Sequence, residues 1–296
     1  MAKIVECVPN FSEGRNQEVI DAITAEVKKV PGVKLLNVQS DASHNRTVVT
    51  FVGDPQSVKQ AAFASCAKAT ELIDMEQHHG EHPRIGATDV IPFIPVSEVT
   101  IEECVTLAEE LGQEIAERLD IPVYLYEAAA KKAERVKLPD VRKGQYEGLK
   151  QDISTPERRP DYGPARMHKT AGATVVGARQ FLIAYNINLG TSDVAIAKKI
   201  ASAIREAKGG YKYCRAMGIM IEERNMAQVT INMINYEGTP LHRVFETVKS
   251  EAARYGVNVI GSEIVGLAPM QALLDAAAFY LRLEDFNRKQ VMEENI

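Results

Sequence analysis

Apolar positions along this chain recur with two periods, and the switches between them predict the elements. Residues 3–8 read as a strand. After the polar turn NFSEGRN the period changes, and Val19, Ile20, Ile23, Val27 and Val30 share one helical face over 17–30. Asn16 stands where an N-cap belongs, and Pro31-Gly32 stops the helix. Strands follow at 33–38 and 47–52, the second alternating and rich in β-branched residues. Gly53-Asp54-Pro55 turns into a long helix over 56–75. A strand at 90–94, a helix over 101–119 and a short strand at 122–125 complete the first half.

From Phe181 the order begins again. FLIAYNINL is a strand, TSD opens a helix over 194–206, and CRAMGIMIEE and MAQVTINMIN are two strands around a turn. Thr239-Pro240 opens a helix ending near 254, VNVIGSEIVG is a strand, and a last helix covers 270–281. Both halves contain the order β-α-β-β-α-β, the ferredoxin-like or split βαβ arrangement. The expected class is α/β (α+β), with two ferredoxin-like subdomains, residues 1–180 and 181–296. A sheet with helices on one face leaves its other face uncovered. The two subdomains are therefore expected to pack together with a ligand cleft between them.

The stretch 131–172 has a different character. It is polar and carries Pro139, Pro156, Pro160 and Pro164, with a basic centre, ERRPDYGPARMHKTAG. Two readings compete: a solvated linker, or a segment lining the cleft, where Gly163, Gly172 and Gly177 let backbone approach a flat ligand.

Composition narrows the partners. The net charge is -5 and no basic stripe exists, which argues against nucleic acid. No stretch reaches the roughly 18 apolar residues of a membrane helix. MAKIVECVPN, interrupted by Glu6, lacks the pattern of a secretory leader, so a cytoplasmic location is expected. Cys7, Cys66, Cys104 and Cys214 are far apart and form no C-x-x-C pair, as in a reducing compartment where cysteines serve as small hydrophobes.

The densest chemistry lies in HHGEHPRIGATDVIPFIP, residues 78–95, which holds three of the six histidines. His78 and His82 are four apart, as in zinc helices, but Gly80 and Pro83 oppose a regular helix and the H-E-x-x-H order is missing. A histidine ahead of a strand suits general acid–base work, with Glu81, Arg84 and Asp89 supplying charge nearby. An exposed polar loop is the plainer alternative, and spacing alone does not choose among the three. VPNFSEGRN (Asn10, Ser12, Glu13) and SHNRTVVTF (His44, Asn45, Arg46) read as ordinary turns, or as polar strand ends converging on one rim. There Arg46 would meet a carboxylate bidentately.

VECVPNFSEGRNQEVIDAI, NRTVVTFVG, GEHPRIGATDVIPFIPV, IPVYLYEAAA and GATVVGARQFLIAYNINL together resemble the glutamate formiminotransferase family, which also forms the front half of formiminotransferase-cyclodeaminase. The resemblance runs from residue 3 to about 280. It implies transfer of the formimino group of N-formimino-L-glutamate to N5 of tetrahydrofolate, giving 5-formiminotetrahydrofolate and glutamate in histidine degradation. It also implies folate bound between two subdomains and a homodimer. Tetrahydrofolate is then a one-carbon acceptor substrate, with no metal and a separate cyclodeaminase downstream. The histidine of GEHPR, His82, becomes the catalytic acid–base residue, and His78 and His79 fall outside the motif. Gly163, Pro164, Ala165, Arg166, Met167, His168, Lys169, Thr170, Ala171 and Gly172 match the folate-binding stretch. Asn10, Arg46 and Arg84 are the residues expected to hold the substrate, and Lys169 or Arg166 to meet the folate's glutamyl tail.

The chain departs from the family at NVQS, where relatives read DVDS, so that Asn37 and Gln39 replace acids. At Ala171 animal enzymes carry tryptophan. Two other classes are kept beside the transferase: a protein that binds folate or handles 5-formyltetrahydrofolate, and a metal-dependent hydrolase built on His78, His79 and His82.

Overall fold

A computed structural model of the chain describes residues 2–295, which divide after Arg179 into two units. In the first, β1 (Ile4–Cys7) and β2 (Asn10–Phe11) lie end to end between the same two neighbours, β4 and β5. They form one strand position broken at Val8-Pro9, since proline has no N–H to give to the ladder. Then come α1 (Gln17–Lys29), the hairpin β3 (Lys34–Asp41) and β4 (Arg46–Gly53), α2 (Pro55–Leu72) and β5 (Thr88–Ser97). The Asn16 side chain accepts from the N–H groups of Glu18 and Val19, the cap its position implied. The predicted second helix is shorter than its pattern and closes at Leu72.

With β1 and β2 counted as one, the antiparallel order is β5, β1/β2, β4, β3, the ferredoxin-like order 4-1-3-2. The sheet continues beyond the motif. Helix α3 (Ile101–Leu119) leads to β6 (Val123–Glu127), and β7 (Thr174–Ala178) inserts between β5 and β6, parallel to both. The sequence reading does not contain β7. All five of its residues are buried, so TVVGA shows no alternation to read.

Alternate residues of these strands build two cores. Val5, Cys7, Phe51, Phe93, Leu125 and Val176 face α1, α2 and α3. On the opposite face Val90, Tyr124, Tyr126 and Val175 pack with Val141, Leu149 and Ile153. Those three belong to the stretch expected to be a linker or a cleft wall. It forms α4 (Leu138–Val141) and α5 (Gln145–Asp152) and covers one end of the sheet, which corrects the linker reading. At the other end the same face keeps polar residues: Asp41 pairs with Arg46, Gln39 with Val48 and Asn37 with Thr50.

The second unit comprises β8 (Ile183–Leu189), α6 (Val194–Ile204), β9 (Cys214–Ile221), β10 (Met226–Met233), α7 (Leu241–Ala253), β11 (Val259–Val265) and α8 (Met270–Leu281). Its antiparallel order, β11-β8-β10-β9, is again 4-1-3-2. Ile183, Tyr185, Ile187 and Leu189 alternate inward against α6 and α7. On the outward face the Gln228 amide donates to Asn188 at 2.8 Å and to Glu263 at 3.1 Å. All four cysteines are buried and unpaired. Among the described residues no helix is long and apolar enough to cross a membrane.

Candidate active site

The turn between β3 and β4 organises the histidine loop. Asn45 has φ 47°, a conformation asparagine tolerates. Its side-chain oxygen accepts from Gly14 N at 2.9 Å, and its amide donates to His79 O at 3.0 Å. The loop can lie this close because residue 80 is glycine: a Cβ there would stand 2.3 Å from the His44 carbonyl.

His78 is buried with both ring nitrogens engaged. Nε2 lies 3.0 Å from the Asn45 carbonyl, which makes it the donor, and Nδ1 accepts from Arg84 Nε at 3.2 Å. Burial lowers its pKa, so the neutral tautomer that this pattern requires is the stable one. Arg84, 6% exposed, has all five N–H groups placed. Besides His78 Nδ1 they reach Gln145 Oε1, both Glu147 oxygens and the His78 carbonyl, at 2.6 to 3.3 Å. A ligand carboxylate finds no free donor on Arg84 in this arrangement. His79 is exposed. Among the described residues no group of three His, Cys, Asp or Glu side chains converges as metal ligands would.

His82 is different. It is half-buried and makes no hydrogen bond to the described residues. It lines one hollow with Ser12, His44, Asn45, Arg46, His78, Arg84 and Asp89. Burial first, then the guanidinium of Arg46, then Arg142, His44 and Arg84, push its pKa down to about 3. The ring is therefore neutral at physiological pH, with a lone pair for a proton. His44 faces it, and His44 Nδ1 lies 3.0 Å from Asp41 Oδ2.

Two arginines contribute most of the positive charge acting on His82. Arg46 opens β4, and desolvation and Arg142 lower its pKa. Arg142, just after α4, donates through its terminal nitrogen to Asp89 Oδ2, while Asp89 Oδ1 accepts from Ile85 N at 2.9 Å. The Nε of each arginine is buried without a hydrogen-bond partner.

The stretch 163–172 is laced to the loop that carries His82. Met75 N donates to Thr170 O and Ala87 N to Ala171 O, both at 2.8 Å, and Ala173 N donates to Ile85 O at 3.0 Å. A Cβ on Gly86 would stand 1.9 Å from the Ala173 carbonyl. Within the stretch, His168 Nδ1 accepts from Ala171 N at 3.0 Å, and Arg166 pairs with Asp120 at 2.6 Å. Lys169 is exposed and Ala171 is buried.

The expected site residues thus fall into groups. His82 and Arg46 meet in the hollow, and Arg84 stands behind it as a clamp. Asn10 lies on the same sheet face, its amide turned to Val8 O at 3.2 Å. The sequence reading missed Arg142 and Glu147, which lie 53 and 63 residues from Asp89 and Arg84 respectively. In the sequence, only a helix start at Leu138-Pro139-Asp140 hints at an ordered segment there.

Comparison with known proteins places the chain among formiminotransferases. The model described as "Formiminotransferase domain, N-terminal subdomain" matches residues 4–179, and that described as "Formiminotransferase domain" matches 184–296. The chain is 54% identical to a glutamate formimidoyltransferase of Streptococcus pyogenes serotype M1, covering 100% of this chain and 99% of that one. It is 48% identical to one of Thermoplasma acidophilum, covering 99% and 97%. It is 50% identical to a formimidoyltransferase-cyclodeaminase of Sus scrofa over 96% of this chain but 54% of the porcine protein.

Proposed function

The chain belongs to the formiminotransferase family, and on that basis we propose that it is a glutamate formimidoyltransferase. It moves the formimino group of N-formimino-L-glutamate to N5 of tetrahydrofolate, releasing L-glutamate. The observation that carries the mechanism is His82: a neutral imidazole, free of hydrogen bonds to the described residues, among cations.

The amidine carbon of the donor is electrophilic. N5 attacks it, and the new N5–C bond gives a tetrahedral carbon bearing three nitrogens. N5 must then lose its proton, and His82 accepts it. The imidazolium so formed sits beside Arg46 and Arg142, an environment that disfavours its charge, so it is a strong acid. It passes the same proton to the glutamate nitrogen, the C–N bond to glutamate breaks, and His82 returns neutral. One group serves both transfers, an effect of about 10²–10⁴-fold in rate. Holding two substrates in register supplies more.

The folate reading of residues 163–172 rests on the family match and on the hydrogen bonds lacing this stretch to residues 75–87, which couple it to His82. The exposed Lys169 has no carboxylate partner among the described residues and suits the anionic tail of a folate. The test is a coupled assay with N-formimino-L-glutamate and tetrahydrofolate on wild type and His82→Ala. Wild type turns over and the variant loses at least about a hundredfold in kcat. Equal rates would remove His82 from the mechanism.

A further inference from the structure

Arg142 and Arg46 are held near one another beside His82, each with a buried Nε–H that has no partner. Arg46 makes no side-chain hydrogen bond among the described residues. Arg142, with a side chain only 12% exposed, makes one, to Asp89. The carboxylates acting on Arg46 are Asp89 and Asp41. Asp89 is already divided between Arg142 and Ile85 N, and Asp41 lies within ion-pair distance of His44. The third arginine, Arg84, is fully committed to Glu147, Gln145 and His78. Two guanidiniums with unmet, desolvated donors are costly unless an anion joins them. A carboxylate matches that geometry, because a guanidinium presents parallel N–H groups that meet both oxygens.

We propose that Arg46 and Arg142 together receive a carboxylate of the formimino donor, with Asp89, which lines the hollow, holding Arg142 in place. This rests on the transferase reading and gives it a substrate-recognition residue from just beyond α4 that the motifs do not contain. It has a consequence for the chemistry. The bound carboxylate offsets the two cations that most oppose a proton on His82, so the base gains proton affinity when the donor is in place.

The intact protein tests this in two ways. In isothermal calorimetry L-glutamate, the released product, binds wild type, and Arg142→Gln weakens that binding at least tenfold while tetrahydrofolate binding is unchanged. In steady state Arg142→Gln raises KM for N-formimino-L-glutamate at least tenfold with KM for tetrahydrofolate retained. Should Arg142→Gln fail to fold, Arg142→Lys keeps a charge near Asp89 but loses the planar fork, and it raises the donor KM about fivefold. An unchanged glutamate affinity in the Arg142 variants, or a wild type that binds no glutamate, overturns the inference. A wild type that binds glutamate through Arg142 yet transfers no formimino group leaves the carboxylate site standing and sinks the transferase reading instead.

Discussion

The rings of His44 and His82 stand 6.3 Å apart, centroid to centroid, with their planes at 61°. Asp41 Oδ2 lies 3.0 Å from His44 Nδ1, and the backbone N–H of His44 donates to Asp41 Oδ1 at 2.8 Å. These contacts keep the Asp41 carboxyl below its usual range. His44 thus stands as a wall beside the imidazole proposed to carry the proton. His44→Ala removes the wall without emptying a core, since the side chain is 43% exposed. The expected result is a fold with unchanged melting temperature and a kcat reduced about tenfold, as for lost positioning. A wild-type kcat would show that His82 needs no such neighbour.

Acid should act on stability through His82. Its pKa is about 3 in the folded chain and about 6.5 when unfolded. Between these values the unfolded chain binds a proton that the folded one refuses. Stability therefore falls as pH drops from about 6.5 toward 3 and does not respond to this group above that window. Glutamine at position 82 removes the effect. Melting curves from pH 7 down to about 4.5 should fall more steeply for wild type than for His82→Gln, whereas parallel curves would mean the imidazole titrates normally.

Under the proposed carboxylate site, Arg46 is expected to read the donor rather than the folate. Arg46→Ala should raise KM for N-formimino-L-glutamate by about ten- to a hundredfold, corresponding to about 1.5–3 kcal/mol for hydrogen bonds to a charged group. KM for tetrahydrofolate stays within about twofold. An unchanged donor KM takes Arg46 out of the substrate site.

Arg84 behaves as a clamp. Arg84→Ala unseats Glu147 and leaves His78 Nδ1 buried without its donor. A loss of about 3 kcal/mol or more in unfolding free energy is expected, read by urea denaturation. Arg84→Lys recovers little, because one ammonium cannot replace a five-donor fork. A lysine variant as stable as wild type would reduce the clamp to a simple charge.

Gly86 permits the contact between the His82 loop and the stretch 163–172. Gly86→Ala drives a Cβ into the Ala173 carbonyl, and backbone cannot retreat as a flexible side chain can. The variant should lose about 3 kcal/mol or more and should weaken tetrahydrofolate binding as well. Stability and folate affinity both at wild-type levels would mean the two segments are not coupled.

Periodicity alone determined most of the architecture. Amphipathic helices and half-exposed strands sort their residues by solvent, so α1, α3, α6 and the paired β-α-β-β-α-β order are written in local spacing. Local spacing does not separate His78, His79 and His82; the family resemblance carried by GEHPR is what points to His82. What the sequence concealed is of two kinds. Strand β7 is buried on both faces and carries no alternation. Residues 131–172 are polar because α4 and α5 meet solvent on one side, yet Val141, Leu149 and Ile153 lie in a core. The roles within the site were decided by tertiary contacts alone. His78 and His82 are four residues apart, and Arg46, Arg84 and Arg142 have the same side chain. Only partners brought from 33 to 63 residues away make one histidine a satisfied structural group and leave the other free. The same folding commits Arg84 fully to the protein and leaves Arg46 and Arg142 with donors for an anion, because hydrogen-bond satisfaction depends on which segments meet in space.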